Sequence, residues 1–175
     1  MPAQEFEMKP VTLLTTGAIG APGKRVFYLQ ARKGKQLLTL IVEKTQVQSL
    51  SIGVEQFMAE LKKRFPDLPE ASGEYDESEM ALQKPIDPTF RVGQIGLGYD
   101  EASDLMVLVA REQSTSEEEP DQAAVARLWC TRSQLRALGH RGLDVADQGR
   151  PICGNCGEPI DPGGHFCPKR NGRKR

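Results

Sequence analysis

The order strand, strand, strand, helix occurs twice along this chain, and a gapless match ties the two occurrences together. Leu40-Ile-Val-Glu-Lys-Thr-Gln-Val-Gln-Ser-Leu50 lies on Leu128-Trp-Cys-Thr-Arg-Ser-Gln-Leu-Arg-Ala-Leu138. Both second strands end in Ala-Arg, at Ala31-Arg32 and Ala110-Arg111, and Gly17-Ala-Ile-Gly20 resembles Gly93-Gln-Ile-Gly96. A duplicated chain of this kind predicts a pseudo-two-fold α+β domain, mostly antiparallel, with both helices on one face. Coincidence between two similar strand-to-helix junctions is the competing reading.

Local chemistry defines the elements. Val11 to Thr16, Val26 to Ala31 and Leu37 to Val42 are rich in β-branched and apolar residues and separated by glycines, so they read as strands. Thr45 and Gln48 fit a T-x-x-Q capping box. The stripe Val47, Leu50, Val54, Phe57, Met58, Leu61 and Phe65 then marks a core-facing helix, ended by Pro66 and Pro69. Strands follow at Phe90–Tyr99, Leu105–Ala110 and Ala123–Cys130. A second box, Thr131 with Gln134, opens a helix carrying Leu135, Leu138, Leu143 and Val145. The expected layout is one domain over 1–148, with units at about 10–66 and 89–148, acidic loops at 67–88 and 112–121, and a tail over 149–175. One detail disagrees with the duplication: the gapless match pairs Thr45 with Ser133, whereas the boxes pair it with Thr131.

Charge is segregated. The net charge is −1, yet residues 67–121 carry 15 acidic and 3 basic side chains. That acidic middle argues against a uniform nucleic-acid footprint. No stretch approaches the roughly 20 apolar residues of a membrane span, and Met1 to Glu7 lacks the basic and apolar regions of a secretory signal. A cytoplasmic location is expected, where four cysteines read as thiols or metal ligands rather than disulfides.

The tail supplies the metal chemistry. Cys153-Gly-Asn-Cys156 places two thiolates three positions apart on a tight turn. In His165-Phe-Cys167, an extended chain points both donors to one side. Between the pairs, Glu158-Pro-Ile-Asp-Pro-Gly-Gly164 is turn chemistry that reverses the chain. The expected site is one structural zinc on Cys153, Cys156, His165 and Cys167. Four protein ligands leave no position for a catalytic water. Cys130, in an apolar strand beside Trp129, reads as a buried free thiol, and His140 as a surface histidine. No nucleophile elbow, phosphate loop, H-E-x-x-H or dinucleotide fingerprint is present.

Gly149-Arg-Pro151, Cys153, Cys156-Gly, Pro159, Asp161-Pro, Gly164-His, Cys167-Pro and Asn171-Gly together resemble the ending of a bacterial family, domain of unknown function 3090. Gly20-Ala-Pro-Gly-Lys-Arg-Val-Phe-Tyr-Leu-Gln-Ala31, Glu43-Lys-Thr-Gln46 and Trp129-Cys-Thr-Arg132 are similar to it as well. The departure is Gly154, where the family pattern has proline. The resemblance implies no activity to carry over. Family members are often encoded near histidine-phosphatase-like and kinase-like proteins, which implies a phosphoryl-related pathway.

Three readings of function stay open. The first is a non-enzymatic adaptor or ligand-binding module whose partner is another protein or a small ligand. The second is nucleic-acid binding by the basic end, Lys169, Arg170, Arg173, Lys174 and Arg175. The third is an enzyme of the phosphoryl-related class. Its ligand would meet Arg25, Arg32, Lys44 and Arg111 near strand ends, with Gln30, Glu43 and Gln46 beside them.

Overall fold

The computed structural model describes residues 4–21, 23–114 and 123–148. Alternating apolar positions produce seven strands, and the two core-facing stripes produce two helices. In chain order these are β1 (Glu5–Met8), β2 (Leu13–Ile19), β3 (Val26–Lys33), β4 (Gln36–Val42), α1 (Lys44–Arg64), β5 (Phe90–Asp100), β6 (Leu105–Glu112), β7 (Val125–Cys130) and α2 (Arg132–Gln148). The architecture is α+β, as expected. The sheet is mixed, in the order β1-β7-β6-β5-β4-β3-β2. The neighbours β2–β3, β3–β4, β5–β6 and β6–β7 are antiparallel, and β1–β7 and β4–β5 are parallel. No helix among the described residues is long and apolar enough to cross a membrane.

The first strand, β1, is absent from the sequence reading and closes the sheet. It stands at the opposite end of the order from β2, yet only residues 9–12 separate the two. Seven strands at about 4.8 Å spacing would put the edges about 29 Å apart if flat. A link of that length reaches about 18 Å at most, so the sheet must curl. The link is hydrogen-bonded to the strand next to each edge: Val11 N donates to Trp129 O of β7 at 2.8 Å and Thr12 N to Arg32 O of β3 at 2.7 Å.

One face of the curled sheet carries the core. Leu29, Leu40 and Phe90 stand side by side across β3, β4 and β5; Leu108, Leu128 and Met8 do so across β6, β7 and β1. Val47, Val54 and Leu61 of α1 and Leu135, Leu138 and Val145 of α2 belong to the same buried cluster, so both helices cover this face. Strands β2–β3–β4 and β5–β6–β7 each pair antiparallel in chain order. Ala31 lies between Leu14 and Leu38, and Ala110 between Ile95 and Ala126. The Ala-Arg match therefore falls on equivalent positions. The glycine match does not: with Leu14 equivalent to Ile95, Gly17 corresponds to Gly98 rather than Gly93.

The helix starts repair the one disagreement in the sequence. Thr131 and Gln134 form the expected box: Gln134 Oε1 accepts from Thr131 N at 2.8 Å, and Thr131 Oγ1 from Gln134 N at 3.0 Å. The first helix starts at Lys44, with Glu43 and Gln46 as its box, two residues before the expected pair Thr45 and Gln48. Gln46 Oε1 accepts from Glu43 N at 2.7 Å. Threonine is the better cap by local preference, but a tertiary contact decides: Gln46 Nε2 also donates to Val92 O of β5 at 3.0 Å. In the gapless match Glu43 and Gln46 fall on Thr131 and Gln134, so boxes and alignment now agree.

Residues 66–88 form no helix or strand, as expected for a segment with four prolines. Far from hanging loose, they strap the outer face of the sheet. Thr15, Gln30 and Thr39 are buried in one row across β2, β3 and β4. Gln30 pairs with the strap as a strand would: its Nε2 donates to Gln83 O at 2.9 Å and its Oε1 accepts from Gln83 N at 2.8 Å. Thr15 Oγ1 donates to Met80 O. Gly17 makes room for the strap, since a methyl there would lie 2.6 Å from Leu82 Cγ.

Candidate functional site

Arg25 stands just before β3, Lys44 is the first residue of α1, and Glu43 precedes it. The fold brings these three together with Arg91 of β5 around an open pocket of about 330 Å³, floored by Phe27, Ile41 and Val42. Three cations face one acid. Arg91 Nη1 pairs with Glu43 Oε1 at 2.8 Å on the exposed rim. Arg25 Nη2 donates to Val145 O at 2.7 Å, in the last turn of α2. The guanidinium lies 4.8 Å from the Phe27 ring centroid. Burial without a countercharge holds Arg25 below its ordinary value. The Lys44 side chain makes no hydrogen bond or ion pair among the described residues.

The remaining candidates lie elsewhere. Gln30 is committed to Gln83 and to Thr39 Oγ1 at 3.0 Å, so it is structural. Arg32 follows it, donating from Nη1 to Gln83 Oε1 at 3.0 Å. Gln46 holds the start of α1 against β5. Arg111 stands exposed on β6. Arg25, Lys44 and Glu43 thus converge, and Arg32, Gln30, Gln46 and Arg111 do not join them. The sequence reading missed Arg91, whose place beside the pocket depends on the parallel β4–β5 pairing of Ile41 with Arg91.

A second polar group lies where the strap crosses the helices. His140 Nε2 and Glu55 Oε1 are 2.8 Å apart, and Arg136 Nε donates to the same carboxylate oxygen at 3.1 Å. The hydrogen bond from His140, followed by Arg136, holds Glu55 below the usual carboxylate range. Gly73 is required here, because a methyl would meet the His140 ring at 2.1 Å. Burial, then the hydrogen bond to Asp144, push the Tyr75 phenol up to about 12. Arg141 is buried, paired with Glu77, and donates from Nε to Thr16 O at 2.9 Å. These groups satisfy one another and tie strap to helices. His140 is half-exposed, in keeping with its surface reading, but bonded. Cys130 is fully buried and free, as the sequence reading expects, and burial pushes its thiol up to about 12.

The zinc ligands Cys153, Cys156, His165 and Cys167 and the basic residues Lys169, Arg170, Arg173, Lys174 and Arg175 lie outside the described residues. Among the described residues, no cluster of three or more His, Cys, Asp or Glu side chains could hold a metal ion. No curated protein and no solved structure matches the chain. A family model does match, over residues 6–167, which takes in the sheet, both helices and the cysteine-rich tail. The chain belongs to DUF3090, a family described as protein of unknown function.

Proposed function

We propose that this chain is a non-enzymatic binding module. It takes the anionic group of a small ligand or partner protein into the pocket before α1, and it carries one structural zinc in its tail. The supporting observation is the convergence of Arg25 and Lys44 on one pocket whose third cation, Arg91, is already paired with Glu43, the only acid among the described lining residues. Cations gathered without matching acids repel one another and gain when an anion enters. Titration of the full chain with inorganic phosphate at fixed ionic strength tests this. Saturable binding that raises the thermal midpoint is expected, and Arg25→Ala should weaken it by about tenfold. Phosphate that binds no better than chloride would remove this reading.

The zinc half of the proposal rests on donor chemistry and spacing. Three thiolates and one imidazole fill a tetrahedron, and so short a segment buries little without the ion, so metal binding supplies much of its folding free energy. Elemental analysis should give about one zinc per chain. A tail that stays folded after chelation, or a Cys153–Cys156 disulfide under reducing conditions, would sink the assignment.

A further inference from the structure

The correspondence between the two units gives the pocket a counterpart. Val26 opens β3 and Leu105 opens β6, so Arg25 and Asp104 hold equivalent positions one residue earlier. Lys44 and Arg132 are each the first residue of the helix that follows. In the second unit this pair is closed. Arg132 Nε donates to Asp104 Oδ1 at 2.9 Å and Nη2 to Oδ2 at 3.3 Å, and Tyr99 Oη donates to Oδ1 at 2.8 Å. Arg132 keeps only 14% of its side chain exposed.

In the first unit the same positions are both cationic. Arg25 replaces the acid, Lys44 replaces its partner, and Ala18 stands where Tyr99 stands, so the hydroxyl that helps hold Asp104 has no equivalent. The electrostatics diverge accordingly. The hydrogen bond to Asp104 raises Arg132, while burial lowers Arg25. Arg25 is nonetheless fixed in place by Val145 O and the Phe27 ring. The Glu43 N–H at the α1 start is occupied by Gln46 Oε1 at 2.7 Å and does not supply the site.

We infer that the pocket is the open form of the Asp104–Arg132 site, and that a carboxylate or phosphate group of the ligand sits between Arg25 and Lys44, where the second unit holds the Asp104 carboxylate. A guanidinium and an ammonium in the lining of one pocket call for an oxyanion with at least two acceptor atoms. Arg91, engaged by Glu43 on the rim, lies outside this grip. The inference rests on the reading of the pocket as a ligand site and specifies how the ligand is held.

The experiment compares the full-length chain with Lys44→Asp, Lys44→Arg and Arg91→Gln, titrated with inorganic phosphate and with acetate against a chloride background. Lys44→Asp rebuilds the closed pair in mirrored order. It should weaken anion binding by at least about tenfold while leaving the thermal midpoint unchanged or higher, since an acid in the first turn also suits the helix dipole. Lys44→Arg and Arg91→Gln should stay within about threefold of the parent chain. The anion that binds more tightly names the class, phosphate or carboxylate. Anion binding by Lys44→Asp at the parent level, or its loss together with a lowered midpoint, overturns the inference. If Arg91→Gln abolishes binding while Lys44→Asp does not, the pocket still binds anions but the Asp104 equivalence falls. If the parent chain binds neither anion, both readings fall.

Discussion

Leu128→Ala should destabilise the domain by about 3–5 kcal/mol and lower the thermal midpoint by roughly 10 °C or more. Leu128 is fully buried, and its register neighbours Met8 and Leu108 are fully buried too. A cavity opened between three strands cannot collapse, because ladder hydrogen bonds fix the backbone on both sides. Small domains hold about 5–15 kcal/mol in total, so this one truncation removes a large share. Leu128→Met, which conserves volume, should lose less than about 1.5 kcal/mol. Chemical denaturation of both variants checks the pair. A Leu128→Ala protein within about 1 kcal/mol of the parent would mean that the β1–β7–β6 row is not closely packed.

Arg141→Leu ranks next, with an expected loss of about 3 kcal/mol. Arg141 is 6% exposed and sits between the α2–β2 interface and the strap. Its Nε–H serves the Thr16 carbonyl, its Nη1 serves Glu77, and its guanidinium lies 5.8 Å from the Tyr75 ring centroid. Leucine refills part of the volume but leaves a buried carbonyl without its donor. Glu77, with 65% of its side chain exposed, can rehydrate. Glu77→Gln should therefore stay within about 1 kcal/mol of the parent. If Glu77→Gln and Arg141→Leu destabilised equally, the ion pair rather than the carbonyl contact would be the source of stability.

The sequence made legible whatever is decided by neighbours along the chain. Strands β2 to β7, the apolar stripe of α1 and the Thr131–Gln134 box follow from local pattern, and the structure has them. What it hid depends on distant residues. β1 has four residues, two of them glutamates, and is a strand only because β7 offers it a parallel edge. Helix α1 is capped by Glu43 rather than Thr45 because Gln46 must reach Val92 O. The strap is ordered by carbonyl and amide partners, such as Gln30, that carry no periodic signal. The site divided in the same way. Arg25 and Lys44 were found from their strand-end positions, whereas Arg91 and the closed Asp104–Arg132 counterpart needed the sheet register. Gln30 and Arg32 looked like ligand groups because a polar residue in a strand gives no sign of which segment will cover it.

The curl of the sheet also has a consequence for synthesis. The partner of Glu5 is Val125, 120 residues further along the chain. At about 5–20 residues per second, β1 leaves the ribosome on the order of 10 s before its partner strand exists. During that interval the first unit can form its own β2–β3–β4 meander, but Val11 lacks the Trp129 carbonyl. An unpaired N-terminal strand beside a half-built sheet is a template for another nascent chain. The glutamates at 5 and 7 place charge on that strand while it waits, the device by which natural edges resist pairing with strangers. Among the described residues, the last sheet strand to be made is therefore the one that pairs with the first, and a chain stalled before residue 125 would leave β1 without it.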